Sequence, residues 1–145
     1  QVRPDVAVFG EKDYQQLLVI RQLARDLDLG VEILAGETVR ERDGLALSSR
    51  NAYLTAPERQ RAGQLNVILK QFAAALAAGQ TIAQARQIAL EAFQAGFDAV
   101  DYVDVRCTRS LAPLPEGRLE TPARVLAAVR LGKTRLIDNC AASPS

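Results

Sequence analysis

The sequence contains no histidine among its 145 residues, and this absence excludes several kinds of chemistry. Without imidazole there is no Ser-His-Asp or Cys-His arrangement, no histidine general base and no histidine-ligated metal centre. Any reaction that the chain supports must rest on Lys, Arg, Asp, Glu, Ser, Gln and backbone groups. Methionine is absent too. Because translation begins with Met and this sequence begins with Gln1, we expect a trimmed or excised piece of a longer protein.

The net charge is only +1, and long apolar runs and cysteines are scarce. Each of these features narrows the class of partner. Lys and Arg number 18 against 17 Asp and Glu, and no basic run interleaves with aromatics, so no nucleic-acid partner is expected. No apolar run approaches the roughly 20 residues that span a bilayer, and no signal peptide opens the chain. We therefore expect a cytoplasmic protein without a membrane partner. Cys107 and Cys140 lack CxxC spacing, and reduced structural thiols are favoured over a disulfide between them.

The residues that are present indicate two domains. Residues 1–61 are rich in charged side chains, whereas residues 62–99 carry few charges and many alanines. Such a shift in composition is typical of a domain boundary, which we place near residues 48–57. We therefore expect one domain over residues 1–47 and a second over residues 48–145.

The first domain has the pattern of a strand–helix–strand unit. An apolar run over residues 6–9 ends at Gly10, helical spacing of apolar residues follows over 13–27, and a second apolar run covers 31–34. This succession is typical of two parallel strands joined by a crossover helix. One crossover does not make a stable sheet alone, so we expect the end of a doubly wound α/β domain whose earlier strands are absent.

The second domain has the pattern of a small α+β fold, with two helices on a three-stranded antiparallel sheet. Thr55 and Thr81 are placed to cap the helices, which we expect to end near Ala78 and Ala95. Strand-like alternation predicts strands over residues 98–107, 125–131 and 135–139. Residues 141–145 form a small-residue tail, which we expect to be a frayed end or the start of a linker.

The first candidate site begins at Gly10. It lies where a strand ends and a helix begins, the position at which open α/β sheets bind ligands and helix N-termini attract anions. Lys12 adds a cation for phosphate, Asp13 an acceptor for ribose hydroxyls, and Gln16 an amide for a small polar substrate. Asp13 and Gln16 also match a capping box, which alone would explain both residues.

The second candidate is the polar loop over residues 43–51. Its Asp-Gly pair predicts a turn, and two adjacent serines followed by Arg50 are suited to grip a polyphosphate, since Arg makes bidentate bonds to phosphate. The alternative is an interdomain loop in which Asn51 or a serine caps local backbone. Basic residues of the second domain are interpreted as a solvated face and not as a site. They are Arg118, Arg124, Arg130, Lys133 and Arg135.

Both candidates lie in longer stretches that point to one family. Residues 8–17 read VFGEKDYQQL and residues 38–54 read TVRERDGLALSSRNAYL, and both closely resemble the pantothenate synthetase (pantoate–β-alanine ligase) family. The segment YVDV at 102–105 is similar to that family's first C-terminal-domain strand. The ending LGKTRLIDN at 131–139 is similar to its C-terminus. The resemblance covers nearly the whole chain.

The resemblance implies an AMP-forming ligase of coenzyme A biosynthesis that joins pantoate to β-alanine through a pantoyl-adenylate intermediate. ATP would be a substrate accompanied by Mg²⁺, and the parent protein would be a homodimer. The implied fold is a Rossmann-like nucleotidylyltransferase domain followed by a C-terminal lid domain. In this chain the first would be the α/β remnant over 1–47, and the second the α+β domain over 48–145.

The resemblance also implies a role for individual residues. Lys12 would neutralise phosphate charge, Asp13 would contact ribose and Gln16 would bind pantoate. Val39 would contact adenine. The implied ATP-binding residues are Gly10, Glu11, Lys12, Asp13, Val39, Leu47, Ser48, Ser49 and Arg50. The implied catalytic residues are Lys12, Ser48, Ser49 and Arg50, and no residue is assigned to a metal.

The sequence departs from the family in two places. Residues 35–37 read AGE where the family usually has a proline-containing stretch. The half that carries a histidine-bearing phosphate signature, a second pantoate glutamine and much of the dimer surface is missing, which agrees with the absence of histidine. We therefore expect a C-terminal half that is inactive alone and binds ATP weakly at best. The alternatives are a non-catalytic lid or interaction domain of a larger or bifunctional protein, and a different adenylyltransferase relative.

Overall fold

The computed structural model describes residues 4–144, and the chain forms two compact units that divide between Val39 and Arg40. The division comes before the boundary at residue 48 that composition predicts. Arg40 belongs to the second unit because it forms a bridge with Ala46 and an ion pair with Asp138. Leu45 belongs there as well, since it is buried in that unit's core.

The first unit is the expected strand–helix–strand. Strand β1 (Val6–Gly10) leads through a 3₁₀ helix (Glu11–Asp13) into helix α1 (Tyr14–Asp26), and strand β2 (Glu32–Gly36) follows. The strands pair in parallel with Gly10 opposite Gly36. The buried residues of the helix are Tyr14, Leu17 and Ala24.

The strands of the first unit leave apolar side chains in solvent. Val8 is 65% exposed, Val6 45% and Leu34 41%. Parallel strands in α/β domains are normally covered on both faces, so a two-stranded sheet with exposed valines is typical of part of a larger sheet.

The second unit contains three helices, because the single helix expected from Thr55 to Ala78 is interrupted. Helix α2 (Ala56–Ala62) and helix α3 (Gln64–Ala77) are separated at Gly63. A Cβ at Gly63 would lie 2.7 Å from Oδ2 of Asp43, so the loop carboxylate approaches the backbone closely at the break. Helix α4 (Ile82–Gly96) follows. Thr55 and Thr81 cap α2 and α4 as expected, each in a complete capping box with the residue at N3.

The three helices accompany a three-stranded antiparallel sheet of order β3–β4–β5, as expected. Its strands are β3 (Ala99–Cys107), β4 (Ala123–Leu131) and β5 (Thr134–Ala142). Helices α3 and α4 pack on the sheet, and alternate residues of β4 fill the core between them. Strand β5 is longer than expected. Ala142 pairs with Ala123 and is buried, so the expectation of a frayed tail is wrong at residues 141–142.

The structure also bears on the state of the two cysteines and on membrane-spanning helices. Cys107 and Cys140 are both free thiols, so the favoured interpretation of the cysteines is confirmed. Over the described range 4–144, we find no helix that combines the length and apolar character needed to cross a bilayer.

Candidate functional site

The carboxyl ends of the two parallel strands define the first candidate site. Because Gly10 pairs with Gly36, the Glu11–Asp13 turn and the segment that leads to Val39 leave the sheet at the same edge. Gly10 has a φ of −68°, which any residue adopts, and a Cβ there would meet no atom within 4 Å. The space above Gly10 is therefore open to a ligand within this unit. Val39, at the end of the second segment, is 66% exposed.

Asp13 does not cap helix α1, although the capping-box interpretation requires it to do so. It is the N-cap residue of α1, but its side chain makes no capping hydrogen bond, so the capping box with Gln16 does not form. Both side chains are exposed, whereas Lys12 beside them is partly buried. The interpretation that would have explained Asp13 and Gln16 without a ligand is therefore wrong for this structure.

An ion pair between the half-buried Arg40 and the buried Asp138 anchors the start of the second candidate, the 43–51 loop. The guanidinium of Arg40 donates to both carboxylate oxygens of Asp138, at 2.6 and 3.0 Å, and to the carbonyl of Gly44 at 3.0 Å. Asn66 Nδ2 donates to the same carboxylate at 3.3 Å. The hydrogen bond to Asp138 raises the pKa of Arg40. The loop is thereby fixed to β5 and to α3.

Asp43 makes a second attachment, nearer to solvent. Its carboxylate accepts two bonds from the Arg59 guanidinium, at 2.5 and 3.2 Å, and one from the backbone N–H of Leu45 at 3.2 Å. The bond from Arg59 is the main reason that the pKa of Asp43 is lowered. Asp43 is therefore engaged in holding the loop, and no local sequence pattern indicates its partner.

Residues 48–51 of the loop include side chains that cap the local backbone and side chains that are exposed to solvent. Ser48 Oγ accepts from the N–H of Arg50 at 3.3 Å and caps a 3₁₀ helix over Ser49–Tyr53. Asn51 Nδ2 donates to the carbonyl of Ala46 at 3.1 Å. The interpretation in which a serine and Asn51 cap local backbone is thus confirmed for these two residues. Ser49 and Arg50 remain exposed, so the caps order a loop that presents them outward.

The same 3₁₀ helix packs against β5 and borders a partly open, basic cavity of about 460 Å³. Its lining residues are Arg50, Tyr53, Lys133, Thr134 and Arg135. Sequence reasoning missed this grouping and placed Lys133 and Arg135 on a solvated face. No local pattern links Arg50 to the β4–β5 turn, since only the tertiary packing of the 3₁₀ helix on β5 brings them together.

Other basic residues of the second unit are engaged in pairs. Arg130 and Arg135 share the carboxylate of Asp101, at 3.0 and 2.6 Å, and these bonds lower the pKa of Asp101. Arg124 donates to Oδ1 of Asn139 at 2.6 Å. Arg124, Arg130 and Arg135 therefore have polar or charged partners, whereas Lys133 lines the cavity.

The chemistry available at both candidates is the binding of anions. Cationic side chains and backbone N–H groups stabilise phosphate charge and orient a substrate, which is the main requirement of phosphoryl and nucleotidyl transfer. Across residues 4–144, the structure contains no group of three or more Cys, Asp or Glu placed to hold a metal ion.

Comparison with known proteins identifies the family to which these features belong. A family model described as pantoate-beta-alanine ligase matches residues 1–141. The pantothenate synthetase of Maricaulis maris is 66% identical over 144 residues, which is 99% of this chain and 50% of the relative. That of a Bradyrhizobium species is 55% identical over 142 residues, covering 97% and 50% of the two chains. The chain thus spans about half the length of the curated relatives it matches.

Solved structures give the same result. The pantothenate synthetase of Thermus thermophilus superposes with a TM-score of 0.89 at 42% identity, covering 96% of this chain and 50% of that one. A pantoate-beta-alanine ligase of Francisella tularensis, solved in complex with beta-gamma ATP and beta-alanine, has a TM-score of 0.63 at 28% identity. It covers 95% of this chain and 44% of that one.

Proposed function

Because the chain belongs to the pantoate-beta-alanine ligase family, we propose that it is the C-terminal half of an ATP-dependent enzyme that joins pantoate to β-alanine. Many relatives named pantothenate synthetase support the ligase role of the parent protein. The ligase of Francisella tularensis was solved with beta-gamma ATP and beta-alanine, which supports ATP and β-alanine as substrates here.

The proposed reaction proceeds through an adenylate. A carboxylate oxygen of pantoate attacks the α-phosphorus of ATP, the bond from that phosphorus to the bridging oxygen breaks, and pyrophosphate leaves. The amine of β-alanine then attacks the acyl carbon of pantoyl adenylate, loses a proton and displaces AMP. Both steps place new negative charge on phosphate oxygens, so catalysis needs positioned cations and N–H donors more than covalent chemistry.

In the first unit, the proposed binding residues lie at the common edge of β1 and β2. Lys12 offsets charge at the α-phosphate, Asp13 holds the ribose and Gln16 binds pantoate. Gly10 and Glu11 line the nucleotide, and Val39 contacts adenine. Three observations support this assignment: the open space at Gly10, the absence of a capping bond from Asp13, and the exposure of Val39.

In the second unit, residues 47–50 form the proposed phosphate loop. Leu47 and the serines supply the loop's surface and hydroxyls, and Arg50 supplies the charge that offsets the phosphates. The observation that carries the proposal is the combination of a fixed loop with an exposed Arg50. Arg40, paired with Asp138, donates to the carbonyl of Gly44 before the loop, and Ser48 accepts from the N–H of Arg50 within it. The guanidinium of Arg50 is exposed and forms no ion pair with a carboxylate of residues 4–144.

The proposed environment of the enzyme follows from its substrates. Mg²⁺ arrives with ATP and is held mainly by phosphate oxygens and water, as is usual for this cation. The two free thiols fit a reducing compartment, so we place the protein in the cytoplasm. The parent protein is proposed to be a homodimer, with no nucleic acid or membrane as partner.

The chain alone is proposed to have no ligase activity. It spans half of its relatives and has no histidine, whereas the family's phosphate signature contains histidine. With half of the phosphate site missing, we expect at best weak binding of ATP.

Variants of the full-length protein test the two phosphate roles. We expect Lys12→Ala and Arg50→Ala each to lower kcat/KM for ATP by about 100-fold, the usual effect of removing one group that stabilises transition-state charge. Lys70→Ala is the control, because Lys70 is an exposed lysine on α3 that belongs neither to the Gly10 site nor to the 47–50 loop. If both variants bind and turn over ATP normally, the phosphate roles are wrong and a non-catalytic interaction domain is the better interpretation.

A further inference from the structure

The cavity between the 3₁₀ helix and the β4–β5 turn is lined by Lys133 as well as by Arg50, and Lys133 is not part of the proposed phosphate loop. We propose that Lys133, in that turn, acts with Arg50 as a second phosphate-binding cation, and that the two bind the β- and γ-phosphates of ATP and then the pyrophosphate product. The proposal rests on the proposed function of the 47–50 loop and adds a residue that the loop motif does not contain.

The first support is the pairing of the two cations on one cavity. Arg50 and Lys133 are both exposed and both line the cavity of about 460 Å³. Within the part of the chain that the structure describes, neither forms an ion pair with a carboxylate. Arg59, Arg86 and Arg130, by contrast, each pair with an Asp or Glu. Among residues 4–144, the lining of the cavity includes no carboxylate, so its two like charges disfavour each other and favour an anion between them.

The second support is the fixed position of the turn. Gly132 has a φ of +54°, the sign that suits glycine at the first position of a two-residue hairpin turn. Its N–H donates to Oδ2 of Asp98 at 2.6 Å, and Asp98 pairs with Arg61 at 2.8 Å. Lys133 therefore projects from a backbone that is already held, which lowers the entropic cost of binding through it.

Of the two basic residues near the turn that line the cavity, Lys133 is the one that no carboxylate pairs with in the described residues. Arg135 lines the cavity too, but it pairs with Asp101 at 2.6 Å and its guanidinium lies 5.9 Å from the centre of the Tyr102 ring. Glu58 lies beside Gly132, and its carboxylate accepts from the N–H of Thr55 at 2.8 Å. Asp101 is thus neutralised by arginines, and Glu58, held by its bond to Thr55, is not among the residues that line the cavity.

The two cations of the cavity suit a ligand with two linked phosphoryl groups. Pyrophosphate carries more negative charge than a single phosphate and presents it to both cations through linked groups. The reaction proposed above generates pyrophosphate at the phosphate loop. The inferred role of Lys133 is therefore to bind this leaving group before and after the bond to the α-phosphorus breaks.

NMR titration of the 145-residue chain with inorganic pyrophosphate at constant ionic strength tests the proposal. We expect amide shifts at residues 48–53 and 132–135, and binding about 10-fold tighter than that of orthophosphate, as for the addition of one charge-assisted contact. Lys133→Ala and Arg50→Ala should each weaken pyrophosphate binding about 10-fold, and Lys133→Arg should retain it within about 3-fold. Lys70→Ala is the matched control and should bind like the unmodified chain.

The outcomes separate this inference from the proposed function. If Lys133→Ala binds pyrophosphate normally while Arg50→Ala does not, the role of Lys133 is overturned and the phosphate loop stands. If Arg50→Ala binds normally, the loop assignment fails and the inference fails with it. Absence of shifts at the turn, or equal affinity for phosphate and pyrophosphate, also overturns the inference.

Discussion

Arg40 and Arg59 each form an ion pair with an aspartate, and the two aspartates differ in burial. This difference sets the contribution that each pair is expected to make to the free energy of unfolding. Asp138, the partner of Arg40, is 2% exposed, whereas Asp43, the partner of Arg59, is 41% exposed. Removing one partner of a buried pair leaves an uncompensated charge, which is far more costly than losing a pair in solvent.

Arg40→Ala should therefore lower the free energy of unfolding by about 3 kcal/mol. Arg59→Ala, the matched control, should lower it by less than about 1 kcal/mol. Urea denaturation followed by circular dichroism measures both. Equal losses in the two variants would show that burial of the Arg40–Asp138 pair does not stabilise the loop.

The two cysteines are expected to differ in reactivity because of their surroundings. The Ser110 hydroxyl and the N–H groups of Arg109 and Ser110 lower the pKa of Cys107 to about 7, whereas burial raises the pKa of Cys140 to about 11. The thiolate is the reactive form, so lowering pH through 7 should slow alkylation of Cys107 by iodoacetamide.

Mass spectrometry after timed alkylation checks this prediction. Cys107 should be modified with a midpoint near pH 7, and Cys140 should stay largely unmodified in the folded chain at that pH. Ser110→Ala should move the Cys107 midpoint upward. Similar rates at both cysteines at that pH would contradict the assigned environments.

At the residue scale, the sequence identified candidate residues but not all of their contacts. The motifs around Lys12 and Arg50 were recognisable as continuous stretches. The pairing of Asp43 with Arg59 and the approach of Lys133 to Arg50 depend on packing between distant segments, which local patterns do not encode. The Asp13 capping box was a sound local expectation, yet the backbone at Asp13 does not form it.

At the scale of elements, the β4–β5 turn depends on a glycine for two reasons. Gly132 has a positive φ, and a Cβ there would lie 2.3 Å from Oε1 of Glu58. Gly79, after α3, also has a positive φ, of +86°, but a Cβ there would meet no atom within 4 Å. A substitution at Gly79 therefore reports the cost of the backbone conformation alone, whereas a substitution at Gly132 adds the cost of the contact with Glu58.

Gly79→Ala should lower the free energy of unfolding by about 1 kcal/mol, the cost of a left-handed conformation for alanine. Gly132→Ala should lower it by about 2–3 kcal/mol, because Glu58 must also move out of its capping box. Chemical denaturation of both variants measures the difference. The additional loss of free energy of unfolding in Gly132→Ala, relative to Gly79→Ala, should disappear when Gly132→Ala is made in a Glu58→Ala background. If that additional loss persists there, Glu58 is not its cause.

Element boundaries show where the sequence pattern was sufficient. The period-two alternation of β3 and β4 and the caps of α2 and α4 were predictable because each is a local feature. The break between α2 and α3 was not, since it coincides with the approach of Asp43 to Gly63, a contact between segments about 20 residues apart. The extension of β5 to Ala142 depends on pairing with Ala123, which residues 141–142 alone do not indicate.

At the scale of the whole molecule, the chain has one unit with an extensive core and one with little. The second unit buries a continuous cluster between its helices and sheet. The first buries few apolar side chains and exposes Val6, Val8 and Leu34 on two parallel strands. This contrast, and coverage of about half of each relative, agree with a C-terminal half whose first unit is completed by strands of the other half.

Pantothenate formation from ATP, pantoate and β-alanine is the most direct test of the proposed function. It should be measured for the 145-residue chain alone and for a chimera in which this chain replaces the matching half of the Maricaulis maris pantothenate synthetase. We expect no pantothenate from the chain alone, and from the chimera pantothenate with equal amounts of AMP and pyrophosphate. Pantothenate formation by the chain alone, or none by a folded chimera, would contradict the assignment of this chain as the C-terminal half of the ligase.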